Sequence, residues 1–145
     1  MELSCKSEYA LLALFELATH FSSGEPMQIR QIAAEQQIPD RYLEQLLATL
    51  RRAGLVRSQR GAKGGYVLAR EPWKITLLEV INCIEGADAH APDGSKDPKS
   101  VEGMVILEVW NEAGHAADAV LQNHTLQDLV EKRDARKQLD IMYYI

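Results

Sequence analysis

From Asp40 onward, Leu43, Leu46, Leu47 and Leu50 fall at i, i+3, i+4 and i+7, a spacing that predicts an amphipathic helix. Arg41, Tyr42, Glu44, Gln45, Thr49 and Arg52 lie off that stripe, and Gly54 follows where a helix C′ residue belongs. Upstream, Ser4 is placed to cap a first helix. Its apolar residues, Tyr9 to Ala18, cover more than one stripe and predict burial on two sides. Met27 to Ile29 reads as a short strand leading into a second helix, Arg30 to Gln36. Pro39 cannot sit in a helix interior and biases Ile38 to an extended conformation, so Gln37-Ile38-Pro39 is a turn.

Beyond Gly54 the period changes. Leu55 to Arg60 alternates loosely, Gly61-Ala62-Lys63-Gly64-Gly65 is a flexible turn, and Tyr66 to Ala69 returns as a second strand, a β-hairpin with a basic, glycine-rich tip. Thr76-Leu77-Leu78-Glu79 has capping-box spacing and opens a fourth helix to about Ile84. Residues 86–97 are polar, with glycine and proline, and read as an exposed, mobile loop. Asp97-Pro98 reads as N-cap and N1 of a long helix ending near Asn123. That helix carries Ile106, Val109, Trp110, Ala113, Ala117, Val120 and Leu121 at helical spacing, with Val101, Met104, Val105 and Ala116 on a second face. One small head cannot cover so broad an apolar surface, which implies a partner subunit with Trp110 as a packing anchor. Thr125-Leu126-Gln127-Asp128 is expected to cap a last short helix, followed by the charged run Glu131 to Lys137 and an apolar tail. The resulting organisation is a head at 1–85, a loop at 86–97, a dimerisation helix at 98–123, and a short helix and tail at 124–145.

The net charge of −5 looks unfavourable for binding a polyanion until it is mapped. Between Arg41 and Lys74 there are eight basic and two acidic residues, +6, while the rest of the chain carries −11. A local positive field on an acidic body directs a polyanion to one face. Two distant cysteines, Cys5 and Cys83, show no zinc spacing and suit a reducing compartment. No apolar run approaches the roughly 20 residues that span a bilayer. Met1 to Phe15 also lacks a cleavage site, so a cytoplasmic protein is expected.

Helix, short turn, helix and basic hairpin make a winged helix-turn-helix plan, mainly α with a small β wing. A B-DNA major groove admits one helix, and polar side chains near that helix's N-terminus reach base edges. Here those are Arg41, Tyr42, Glu44 and Gln45: Arg suits guanine, Gln adenine, and Glu accepts from cytosine N4. Arg51 and Arg52, further along, are better placed for phosphates. At the tip, Arg60 and Lys63 supply cations, and Gly61, Gly64 and Gly65 allow close backbone approach to the sugar-phosphate surface. Tyr66 is expected to pack the wing onto the core. His20, His115 and His124 have no nucleophile or acidic partner at a telling spacing, so no hydrolytic site is supported and an enzyme is not expected.

Several stretches carry a specific resemblance: residues 3–10, Tyr42 to Leu47, Arg60 to Arg70, Ile75 to Gly86, Trp110, and Thr125 to Leu129. Over roughly residues 1–130 the chain resembles the IscR/NsrR/CymR (Rrf) family of bacterial regulators. The resemblance implies a homodimer with crossed long helices on a palindromic operator in double-stranded DNA, and regulation, as a repressor, without catalysis. It places Glu44 and Gln45 against bases and Arg60 with the glycine wing in a minor groove. Arg41 replaces a smaller residue of some relatives.

Iron–sulfur sensors of this family place three cysteines before the long helix, but Gly86 to Val109 contains none, and Leu107 stands where one branch has histidine. Thiolates are the usual ligands of such clusters, so no cofactor is expected. An atypical iron–sulfur or redox site would have to draw on Cys5, Glu8, Cys83 and His90. The resemblance leaves two effector routes, a protein partner or a small molecule at the dimer interface. A protein-interaction module with a vestigial hairpin is the alternative from another class.

Overall fold

The computed structural model describes residues 2–86 and 100–143. Three helices open the chain: α1 (Cys5–Thr19), α2 (Ile29–Gln36) and α3 (Asp40–Arg52). A hairpin of β1 (Val56–Gln59) and β2 (Gly65–Leu68) follows, then α4 (Leu77–Glu85), α5 (Val101–Gln122) and α6 (Leu126–Tyr143). This is the mainly helical architecture with a small β wing that the hydrophobic pattern predicts.

The core forms where α1 meets α3, α4 and α6. Ser4 caps α1 by accepting from the Ser7 amide at 3.1 Å. Ala10, Ala13 and Leu14 are wholly buried on α1, and α3 contributes Leu43, Leu47 and Leu50 at 0% exposure, with Leu46 at 6%. Ile32 from α2, Val56 from β1, Ile75, Val80 from α4 and Leu126 from α6 join Leu43, Leu47 and Leu50 in one buried cluster.

The helix-turn-helix is closed by local chemistry. Gln37 takes a left-handed φ of 55° at the end of α2, its amide bonded to the Ala33 carbonyl. Ile38 is buried beneath the turn, so Pro39 enters α3 from a fixed direction. Gly54, with φ +79°, follows the C-cap Ala53 and turns the chain so that the Leu55 amide donates to the Leu50 carbonyl. That bond ties the start of the wing to α3.

The strand expected at Met27–Ile29 is a single bridge instead. Met27 exchanges both backbone hydrogen bonds with Tyr66, at 3.0 and 2.7 Å, whereas Ile29 already belongs to α2. The reason is a capping box: the Gln31 side chain accepts from the Gln28 amide and begins the helix there. Thr76 and Glu79 form the expected capping box at α4. Thr125 and Asp128 do the same at α6 through reciprocal bonds of 2.9 and 3.2 Å. These two caps also bridge each other, with Leu77 N donating to His124 O and Leu126 N to Ile75 O.

Two further expectations change. The last helix is not short: α6 continues to Tyr143, through the charged run and into the apolar tail. No glycine or proline interrupts that stretch, and Arg133 pins it to α1 by donating to Thr19 Oγ1 at 2.8 Å. For α5, Ser100 is the N-cap, accepting from the Gly103 amide. Asp97-Pro98 and the loop from residue 87 lie outside the described residues.

Gly65 faces the Met27 carbonyl so closely that a Cβ there would collide with Met27 backbone. Gly65→Ala is therefore expected to lower unfolding stability by about 1–3 kcal/mol, as overpacking does. Urea titration followed by circular dichroism measures it.

Candidate nucleic-acid interface

The leucine stripe of α3 faces inward, so the opposite face reaches solvent. Arg41, Glu44, Gln45, Arg51 and Arg52 are all exposed. Tyr42 is not in the same situation. It is half-buried, with its ring edge-on to Tyr9 of α1 at 5.4 Å, so part of its surface packs α3 onto α1. Thr49 Oγ1 donates to the Gln45 carbonyl and accepts from Arg52 at 3.3 Å, which lays Arg52 along the helix. Both arginines sit in the last turn, where cations also favour the helix dipole.

The wing projects beyond the core. In β1 only Val56 is buried, while Arg57, Ser58 and Gln59 are exposed, as are Arg60 to Lys63. The glycines of the tip divide into two roles. Gly61, with φ +112°, is exposed and has nothing within 4 Å of a Cβ position, so its backbone is open to an incoming surface. Gly64 and Gly65 are required by the fold itself. A Cβ on Gly64 would strike the Gln59 carbonyl, and the Gly64 amide closes the turn onto Gly61 O at 2.9 Å. Gly64 is buried and Gly65 half-buried, so of the three tip glycines Gly61 is the exposed one. Tyr66 is half-buried against the core, in keeping with a packing role.

The charges sort in the same way. Of the eight cations from Arg41 to Lys74, Arg70 pairs with Glu79 at 3.2 Å and Lys74 with Glu71 at 3.7 Å. Among the described residues, Arg41, Arg51, Arg52, Arg57, Arg60 and Lys63 have no carboxylate partner. All six lie on α3 or the wing. The site residues expected from sequence did not include Arg57. Its signal is its place in a strand whose only buried residue is Val56.

A second surface lies on α5, where no residue is buried. Trp110 is 68% exposed and Ile106 70%, with Val109 and Val120 also open. Ala113 is exposed too, while Ala117 and Leu121 are half-buried. Val101, Met104 and Val105 extend the exposed apolar surface toward the N-terminus of the helix.

The residues available for a metal are few. Among the described residues no group of three or more His, Cys, Asp or Glu is placed to hold an ion. Cys5 is exposed. Cys83 is half-buried, with its thiol 3.9 Å from the Thr49 carbonyl of α3. Burial pushes the Cys83 thiol up from its ordinary pKa, partly opposed by the nearby Arg52 guanidinium. Glu85, at the end of α4, accepts from the hydroxyls of Ser4 and Ser7, which hold its carboxyl below the usual range. His90 lies outside the described residues.

Comparison with known proteins decides the family. The profile of the Rrf2 family, described as iron-dependent transcriptional regulators, matches residues 3–132. The chain belongs to the Rrf2 family. The HTH-type transcriptional regulator CymR of Bacillus subtilis is 37% identical over 145 residues, the whole of both chains. The solved structure of CymR, described as the global cysteine regulator of B. subtilis, superposes with a TM-score of 0.79 at 36% identity, covering 91% of this chain and 98% of that one. T. potens IscR superposes with a TM-score of 0.76 at 37% identity, covering 92% and 88%. These Rrf2 relatives are transcriptional regulators, not enzymes. The chain's two cysteines and the absence of a ligand group among the described residues do not fit the three-thiolate site of cluster-bearing members. No helix among the described residues is long and apolar enough to cross a membrane.

A raised pKa leaves less thiolate at a given pH, so Cys83 should alkylate slowly in the native state. With Cys5→Ser removing the other thiol, iodoacetamide labelling at pH 8 is expected to be several-fold slower native than in urea. It should rise as pH climbs, because deprotonation is then less costly. Mass spectrometry of timed samples measures it.

Proposed function

We propose that this Rrf2 protein is a repressor that binds a palindromic operator in double-stranded DNA as a homodimer. In this reading α3 enters the major groove, with Arg41, Glu44 and Gln45 reading base edges and the exposed part of Tyr42 beside them. Arg51 and Arg52 take phosphates, while Arg60, Lys63 and Gly61 carry the wing into an adjacent minor groove. Arg57 joins them on the strand that supports the tip. Gly64 and Gly65 act indirectly by fixing the shape of the turn.

The observation that carries the reading is the sorting of charge. Of the eight cations from Arg41 to Lys74, the six without a carboxylate partner among the described residues lie on α3 and the wing, whereas Arg70 and Lys74, just beyond the hairpin, are paired. Free cations release counterions when they meet phosphates, which gives the affinity a steep salt dependence. The uncovered stripe Ile106, Val109, Trp110, Ala113 and Val120, with Ala117 and Leu121 at its edge, supports self-association through α5. A symmetric dimer then presents two α3 helices to half-sites about one helical turn apart. No cofactor is invoked, and the signal enters through a protein or small-molecule effector.

Arg60→Ala is expected to weaken binding to the DNA upstream of the protein's own gene by about 1–3 kcal/mol and to reduce the slope of log affinity against log salt by about 1. Fluorescence anisotropy at several salt concentrations measures both. An affinity unchanged by the substitution and insensitive to salt would favour a protein-interaction module instead. Trp110→Glu is expected to convert the protein to monomers in sedimentation analysis, because it places an unpaired charge in the centre of the stripe.

A further inference from the structure

We propose that the cleft between the wing and the loop after α1 binds a small amino acid, with Arg57 holding its carboxylate and Glu25 its ammonium. The occupant also takes Arg57 away from DNA. The site stands on its own geometry, while this consequence rests on the DNA-binding reading above and gives the effector of that reading a chemical class.

The first observation is a preformed cleft of about 120 Å³. One wall is the end of α1 and the turn that follows it. There Ser23 Oγ donates to the His20 carbonyl at 2.8 Å and accepts from the Glu25 amide at 3.3 Å. The Gly24 amide closes the turn onto the Phe21 carbonyl, and Trp73 braces it, edge-on to the Phe21 ring at 5.9 Å. The other wall is the hairpin. Arg57 pairs directly with Val67 across the strands, so their side chains share a face with Gln59, two positions along. The Met27–Tyr66 bridge, two residues beyond Glu25, fixes one wall against the other. A site whose walls are already in place loses little binding energy to ordering.

The second observation is the lining. Leu17, Phe21, Val67 and Leu68 give an apolar floor, with Leu17 and Leu68 each 3% exposed. Arg57 and Glu25 line the same cleft, yet no ion pair joins them, and neither has another partner of opposite charge among the described residues. His20, also at this rim, stands 3.9 Å from the Glu16 carboxylate instead. A cation and a carboxylate, both unpaired, thus border one apolar floor without meeting.

Size and charge together select the ligand. An apolar cavity of about 150 Å³ takes a molecule of about six non-hydrogen atoms, so this cleft admits one of similar size. A simple carboxylate bound at Arg57 would leave Glu25 facing an anion, and a simple amine at Glu25 would leave Arg57 facing a cation. A molecule that carries both an ammonium and a carboxylate answers both, and at this size it is a small amino acid. Gln59 adds an amide able to donate to the carboxylate. Once occupied, the site pairs Arg57 as Glu79 pairs Arg70, and the wing offers one fewer free cation to phosphates.

An NMR chemical-shift titration of backbone amides in the full-length protein tests the site. The probes are glycine, L-alanine and L-serine, with propionate and ethylamine carrying one charge each. Saturable shifts are expected at residues 20–25, 57–59 and 66–68 with at least one of the amino acids. Propionate and ethylamine should bind roughly tenfold more weakly or worse, since each leaves a charged group without its partner. Glu25→Gln, at an exposed loop position, should keep the fold and lower amino-acid affinity about tenfold. In fluorescence anisotropy the bound amino acid should weaken wild-type DNA binding several-fold. At the same concentration it should leave Glu25→Gln, whose unliganded DNA affinity equals wild type, unaffected. No saturable shift with any of the three amino acids, or propionate binding as tightly as they do, overturns the site. Amino-acid binding with unaltered DNA affinity overturns the link to DNA alone. A wild-type protein without salt-dependent DNA affinity overturns the DNA-binding reading, and the titration then still decides the site.

Discussion

Four leucines on one side of α3 hold that helix in place. Leu43, Leu46, Leu47 and Leu50 are between 0 and 6% exposed, and each contributes about 1.5–3 kcal/mol of burial. Because they point at α1 and the core, the remaining face of the helix has no choice but to face solvent. The same packing sets the wing. Leu50 accepts the Leu55 amide across the Gly54 turn, and Val56 is then buried as β1 leaves the core. The orientation of the basic hairpin is thus inherited from the leucine stripe.

The wing adds its own constraint. A two-stranded hairpin is marginal by itself, and this one is reinforced where Met27 bridges Tyr66. That support demands glycine at Gly65 and places the Tyr66 ring against the core. The tip therefore combines a rigid base with one open glycine, Gly61, between Arg60 and Lys63. Rigidity at the base and cations at the tip suit a segment that must hold charges at a fixed distance from α3.

The second half of the molecule follows a different logic. Helices α5 and α6 are tied to the head at the paired caps Thr76 and Thr125, yet they carry large apolar residues that the described residues leave exposed. Trp110 is more than two-thirds exposed, and an apolar surface of that kind marks an interaction site. Membership of the Rrf2 family then gives these surfaces a regulatory setting.

Local rules made much of this legible in advance. The i, i+3, i+4, i+7 leucines, the Thr76–Glu79 and Thr125–Asp128 caps and the Gly54 stop are short-range signals, and each appears where the residues require it. The strand at Met27 and the short last helix were misread for one reason. Whether Ile29 joins a helix depends on a side-chain cap, and whether α6 persists depends on Arg133 meeting Thr19 across more than 100 positions of chain. The roles of Gly64 and Gly65, the packing of Tyr42 on Tyr9, and the division of cations into paired and unpaired sets are likewise distances between segments. By itself the sequence determined the helical periods, the turn chemistry and the basic window, because these depend on neighbours within a few residues. Only the tertiary structure decided which charges remain free and which apolar faces remain bare, because both depend on what the folded chain brings alongside them.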